Sequence, residues 1–167
     1  EFIHQTCIGM QTRIALYNTD HLRLLCEFQS RGLSTATGTN AWGYPAGQGQ
    51  TWKSNSTAPG DFSPFNLNTD VVEQTWRSTA TSGISLDCDT ERPQGVFLDT
   101  FAILNHNITS SATINLLGSN DSVFASIGIT IPLEVMKDDP HIYYISPLLP
   151  TSGYKYWRVA IDDSSNP

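Results

Sequence analysis

From Ile84 to Ile161, apolar positions recur at alternate residues in short runs closed by turn-forming residues, with no helical period between them. Ile84-Ser85-Leu86-Asp87-Cys88 alternates, and Arg92-Pro93-Gln94-Gly95 then reads as a turn. Residues 96–104 are apolar on both faces of the pleat, which predicts a central strand covered on both sides. Asn105-His106-Asn107 ends that run, because Asn tolerates left-handed backbone and its amide can satisfy turn N–H groups. Residues 112–117 form the next strand, closed by Gly118-Ser119-Asn120-Asp121. Ile127, Ile129, Ile131, Leu133 and Val135 keep strict alternation, with Pro132 pushing that strand toward an edge. Residues 142–145 and 154–161 complete the set. In the last, Trp157, Val159 and Ile161 share one face, and Tyr156 and Arg158 the other.

Nearer the start, residues 12–17 and 22–28 read as two more strands joined by a turn at Asn18-Thr19-Asp20-His21. Many short strands without intervening helices predict an all-β fold, an antiparallel β-sandwich. Between the two strand regions, residues 32–82 are rich in Gly, Ser, Thr, Asn and Pro but carry Trp42, Tyr44, Trp52, Phe62, Phe65 and Trp76. A disordered linker is poor in large aromatics, so this stretch is expected to be an ordered excursion whose rings pack on the body.

Composition agrees. The 167 residues include 17 Ser, 18 Thr, 12 Gly and 9 Pro and only 15% charged residues, a mixture that favours strands and turns over long helices with Glu- and Lys-rich surfaces. A chain of this length builds a core without disulfides or a structural metal. The formal charge of −7 repels phosphate backbones and no basic cluster offsets it, so nucleic acid is not an expected partner. The longest apolar runs are too short to cross a bilayer as a helix. Glu1-Phe2-Ile3-His4 carries no signature of a targeting segment. Cys7, Cys26 and Cys88 form no CxxC and read as small buried hydrophobes made in a reducing compartment.

Chemistry-bearing motifs are sparse. Asp87, Asp89 and Glu91 stand at alternate positions, as hard-oxygen calcium ligands do, but an exposed hairpin end gives the same pattern. Asp138-Asp139-Pro140-His141 reads as an acidic turn ended by Pro. His4, His21, His106 and His141 are scattered without a zinc spacing, and there is no Gly-x-Ser-x-Gly, P-loop or dinucleotide fingerprint. No catalytic residue, metal site or cofactor is therefore assigned, and the chain is expected not to be an enzyme. The ring-bearing loops offer the best binding candidates: Trp42, Tyr44 and Trp52, in a Gly-rich polar setting, suit stacking on a sugar face. The same rings equally serve as hydrophobic anchors of long loops or as subunit contacts. Residues 1–11 form a short arm, too small for a core of its own, in which Phe2, Ile3, Ile8 and Met10 would dock on a neighbouring subunit. The sequons at Asn55, Asn107 and Asn120 are expected by chance in so Asn- and Ser/Thr-rich a chain.

A set of segments in fixed order carries a resemblance: Gly43-Tyr44-Pro45-Ala46, Thr75-Trp76-Arg77-Ser78, Ile84-Ser85-Leu86-Asp87, the run 98–108, the run 114–121 ending Gly-Ser-Asn-Asp, and Tyr154-Lys155-Tyr156-Trp157-Arg158-Val159-Ala160-Ile161-Asp162-Asp163. Together, over residues 12–167, they resemble the galactose-binding-like (discoidin, F5/8 type C) jelly roll. More closely, they resemble its version in tail and other virion structural proteins of bacteriophages. The resemblance implies a domain with Trp76 in its core and one more strand than the segments here supply, which is missing, lies outside this chain or comes from a neighbour. It implies a place in a virion assembled in the host cytoplasm (tail, neck, baseplate or decoration) and partners that are other virion proteins and copies of the chain itself. A host-surface glycan is the alternative partner. The Asp-Gly-Asn type signal linked to calcium in discoidin domains is missing before Trp76.

Overall fold

The computed structural model describes residues 12–17, 21–26, 38–39, 41, 43, 52–68, 75–98, 100–104, 106–137, 139, 141–145 and 152–166. Among the described residues nine strands run in chain order as β1 (Thr12–Tyr17), β2 (His21–Cys26), β3 (Trp52–Ser54), β4 (Ile84–Asp89), β5 (Thr100–Leu104), β6 (Thr113–Ser119), β7 (Ile129–Leu133), β8 (His141–Ile145) and β9 (Tyr156–Asp162). The described helical structure is a single 3-10 turn, Pro64–Asn68. Among the described residues every pairing between strands is antiparallel, so the all-β reading holds.

The large sheet has the order β3-β4-β9-β6-β7, and β5-β8 and β1-β2 are two-stranded. β9 therefore sits in the middle of the large sheet, between β4 and β6. Register explains the core. Opposite residues share a face, so one row aligns Trp52, Cys88 and Trp157, the next Leu86, Val159, Leu116 and Ile131, and the third Ile84, Ile161, Ile114 and Leu133. All of these are buried, at roughly 2 kcal/mol for each fully buried Ile or Leu. Across from them, β5 and β8 pair Phe101 with Tyr144 and Ile103 with Ile142, and these four side chains pack on the same core in a sandwich-like arrangement. Leu67 and Trp76 also pack against it, so the described part of the ring-rich stretch is anchored to the body as expected.

Two sequence expectations change. Residues 96–104 are not one doubly covered strand: Val96 makes an isolated bridge to Tyr154, Phe97 is 46% exposed, and β5 starts at Thr100 and pairs with β8. The apolar character of both faces reflects two separate short pairings. The central position belongs to β9, which hydrogen-bonds to β4 on one side and β6 on the other. The edge expectation for Pro132 holds, since β7 ends the large sheet. A three-residue strand at Trp52–Ser54 was not legible, because two of its residues, Lys53 and Ser54, carry no apolar side chain.

Candidate functional site

The second face of the large sheet carries its polar side chains. Period two places Lys53, Asp87, Arg158 and Leu117 in one row across β3, β4, β9 and β6, and Asp89, Tyr156 and Ser119 in the next. Asp87 is 2% exposed, an unusual depth for an acid on an outward sheet face. Arg158 accounts for it: Nε donates to Asp87 Oδ1 at 2.6 Å, and a terminal nitrogen donates to Oδ2 at 2.9 Å. The guanidinium lies over the Phe124 ring, 4.1 Å from its centre.

Phe124 is placed there by the turn after β6. Its φ of 58° is one that bulky residues rarely adopt. The turn is held by the Asp121 carboxylate, which accepts from the backbone N–H groups of Val123 and Ala125, and by the Phe124 N–H, which donates to the Asp121 carbonyl. Ser119 Oγ closes the loop by donating to the Ser126 carbonyl at 2.7 Å.

Asp89 holds a second junction. Its Oδ1 accepts from the Glu91 N–H at 2.8 Å, and its Oδ2 from the Ala41 N–H at 2.9 Å. The backbone beside Trp42 is thereby tied to the polar face. Burial, then the charges of Asp89 and Asp121, push the Tyr156 phenol above its ordinary range.

Asp163, just past β9, is the third junction. Thr109 donates to it twice, from N–H at 2.8 Å and from Oγ1 at 2.5 Å, and Asn166 Nδ2 donates at 3.1 Å. Burial alone would raise this carboxyl, but the bonds from Thr109 and Asn166 outweigh it and hold Asp163 below the usual carboxylate range. A group depressed on folding contributes stability that is present above its unfolded value, near 4, and is lost as pH falls through the folded value. Asp163→Asn is expected to cost about 2 kcal/mol near neutral pH, where an amide N–H₂ replaces an acceptor, and to flatten the acid limb of the stability curve. Urea titrations between about pH 7 and pH 3 measure both; an unchanged acid limb in the variant would refute the assignment.

The outward face of the small sheet is different in kind. On β8, Tyr143 and Ile145 stand two residues apart, 39% and 75% exposed, with Met136 also exposed in the connection before them. His141 stacks on Tyr143 and lies 3.3 Å from Asp139.

These findings revise the reading of individual residues. Asp87 and Asp89 are not the exposed tip of a hairpin: both sit in β4, next to the central strand, with their oxygens taken by Arg158 and by backbone N–H groups. Among the described residues, no group of three or more His, Cys, Asp and Glu side chains is arranged to hold a metal. Trp52 is 8% exposed within the core, the burial of an anchor, and a ring so enclosed offers no face to a sugar. Trp42, Tyr44, Phe2, Ile3, Ile8 and Met10 lie outside the described residues. Side chains of all three sequons hold the fold, Asn120 by accepting from the Lys155 N–H at 3.2 Å. Asn55 donates to the Gly83 carbonyl and accepts from the Ser85 N–H, extending the β3–β4 pairing by a side chain, and Thr109 serves Asp163.

The junctions escaped the sequence because Asp87, Asp89 and Asp163 each have a partner 48 to 71 positions away along the chain. The outward face of β8 did leave a signal: His141-Ile142-Tyr143-Tyr144-Ile145 is apolar at successive positions, one face more than a core uses. Neither a scan against protein-family models nor a search of the curated proteins found a match for this chain.

Proposed function

We propose that this chain is a non-enzymatic assembly module, a structural component of a bacteriophage particle built on a galactose-binding-like jelly roll and working through contacts with other virion proteins and with its own copies. The observation that carries the assembly reading is the exposed apolar pair Tyr143 and Ile145 on the outward face of β8. An aromatic beside an aliphatic group on a rigid strand is the composition of an interface centre, and exposing it costs solubility unless a partner covers it. The particle assignment rests on the ordered resemblance of residues 12–167. A non-catalytic role is supported by the carboxylates of Asp87, Asp89, Asp121 and Asp163, whose oxygens are committed to Arg158 or to groups that hold turns.

Ile145→Lys is expected to leave folding stability within about 0.5 kcal/mol, as for an exposed position, while abolishing self-association or co-assembly. Light scattering and electron microscopy of wild type and variant read the outcome. A wild-type chain that stays monomeric at high concentration and joins no particle, or a variant that assembles normally, would end this reading. Removing residues 1–11 tests the arm separately: a folded domain that no longer joins its partner is the expected product.

One observation favours a second reading, a carbohydrate-binding module. The Ala41–Asp89 bond brings the backbone next to Trp42 to the polar face, alongside Tyr156. Specific binding on a glycan array, lost in Trp42→Ala and Tyr44→Ala without loss of folding, would select this alternative.

A further inference from the structure

We propose that His106 is a proton-operated clasp: protonating its ring releases the turn that follows β5 and, through that turn, the segment that ends β9.

The bonding of the ring decides its protonation. His106 Nδ1 accepts the backbone N–H of Ile108 at 3.1 Å. A ring nitrogen that accepts carries no proton, so the neutral imidazole bears its hydrogen on Nε2. That Nε2 is buried and has no hydrogen-bond partner. A second proton can only go to Nδ1, where it would set N–H against N–H and break the bond to Ile108. It would also place a cation where the ring has no acceptor to meet it.

The charged and titratable groups that act on the ring come from the β7–β8 connection and the start of β8. His141 opposes a charge on His106, Asp139 favours one, and Asp139 is already engaged by the His141 N–H at 2.9 Å. Burial is the largest influence and holds His106 below the ordinary imidazole value. The neutral form is therefore the one that folding selects.

The consequence travels along three consecutive residues. The Asn107 carbonyl accepts from Asn166 Nδ2 at 2.9 Å, Ile108 is held by His106, and Thr109 donates two bonds to Asp163. Asp163 N–H in turn donates to the Thr81 carbonyl at 2.7 Å. Losing the His106–Ile108 bond loosens the middle of this clasp while its carboxylate is still ionised. Because the folded value is depressed, the clasp is intact above the unfolded value of about 6.5 and opens as pH falls through the folded one. The opening therefore lies on the acid side of the ordinary imidazole value.

Amide hydrogen exchange tests this on the full chain. Exchange rates are corrected for the intrinsic effect of pH and referred to Leu116 in β6. Protection of Ile108, Thr109 and Asp163 is expected to fall about tenfold between pH 7.5 and about pH 5, the effect of losing one hydrogen bond. In His106→Asn the amide oxygen replaces the Nδ1 acceptor and cannot titrate, so protection should be the same at both pH values. A wild type with no local change, or an Asn variant that keeps the pH dependence, would overturn the clasp. If that variant does not fold, nitrogen-detected spectra of the wild-type imidazole decide. The Nε2–H form at neutral pH supports the proposal, and an Nδ1–H form overturns it.

Discussion

Arg158→Met is expected to lose about 3 kcal/mol of folding free energy, because it leaves the Asp87 carboxylate buried without the two charge-assisted bonds that neutralise it. The figure is taken from the low end of the range for broken buried pairs for two reasons. The Arg158 side chain is partly exposed, and Lys53 stands opposite Asp87 on the same face of the sheet. Methionine keeps an unbranched apolar stem but removes the guanidinium from the Phe124 ring, so the loss reports the ion pair together with its cation–π contact. Removing both charges, as Asp87→Leu with Arg158→Met, should recover most of the stability, since apolar groups of similar size replace a buried ion pair at little cost. Denaturant midpoints of the four proteins close the cycle. A single variant that loses less than about 1 kcal/mol would mean that the pair behaves as an exposed one.

Gly95→Ala carries the second large effect, about 3 kcal/mol, from two additive causes. Gly95 has φ of 74°, a left-handed conformation that costs an alanine about 1 kcal/mol. Its added methyl carbon would lie 2.6 Å from the Tyr154 backbone carbonyl carbon and 2.7 Å from its nitrogen, atoms that cannot rotate away. Relieving that overlap, at about 2 kcal/mol, breaks the Val96–Tyr154 bridge, both of whose bonds run between the same two residues. The Tyr154 ring, edge-on to Trp157 at 5.5 Å, would shift with its backbone. Tryptophan fluorescence and thermal unfolding should therefore change together. A Gly95→Ala protein with unaltered melting would show that the 95–96 segment yields freely.

How much of this was legible follows from the range of each interaction. The core rows were readable because Trp157, Val159 and Ile161 alternate within a few residues, and Pro132 announced an edge because a missing N–H is a property of one residue. Residues 96–104 misled for a definite reason. A run apolar on both faces describes either a doubly covered strand or two short segments with different partners, and pattern alone does not choose between them. Trp52 carried two readings, ring platform or anchor. Only its position opposite Cys88, beside Trp157, put it in the core.

Alternation and turn chemistry in the sequence alone therefore determined that this protein is all-β and antiparallel, which faces of β4 and β9 point inward, and where most strands begin and end, because backbone geometry at period two is a local property. The tertiary structure alone decided that Asp87 is a buried ion-pair partner, that Asp163 binds the turn after β5, that burial holds His106 below the ordinary imidazole value, and that Tyr143 and Ile145 are left facing out. Each of these depends on what a fold brings beside a side chain from dozens of residues away, and burial and charge respond to that neighbourhood rather than to sequence order.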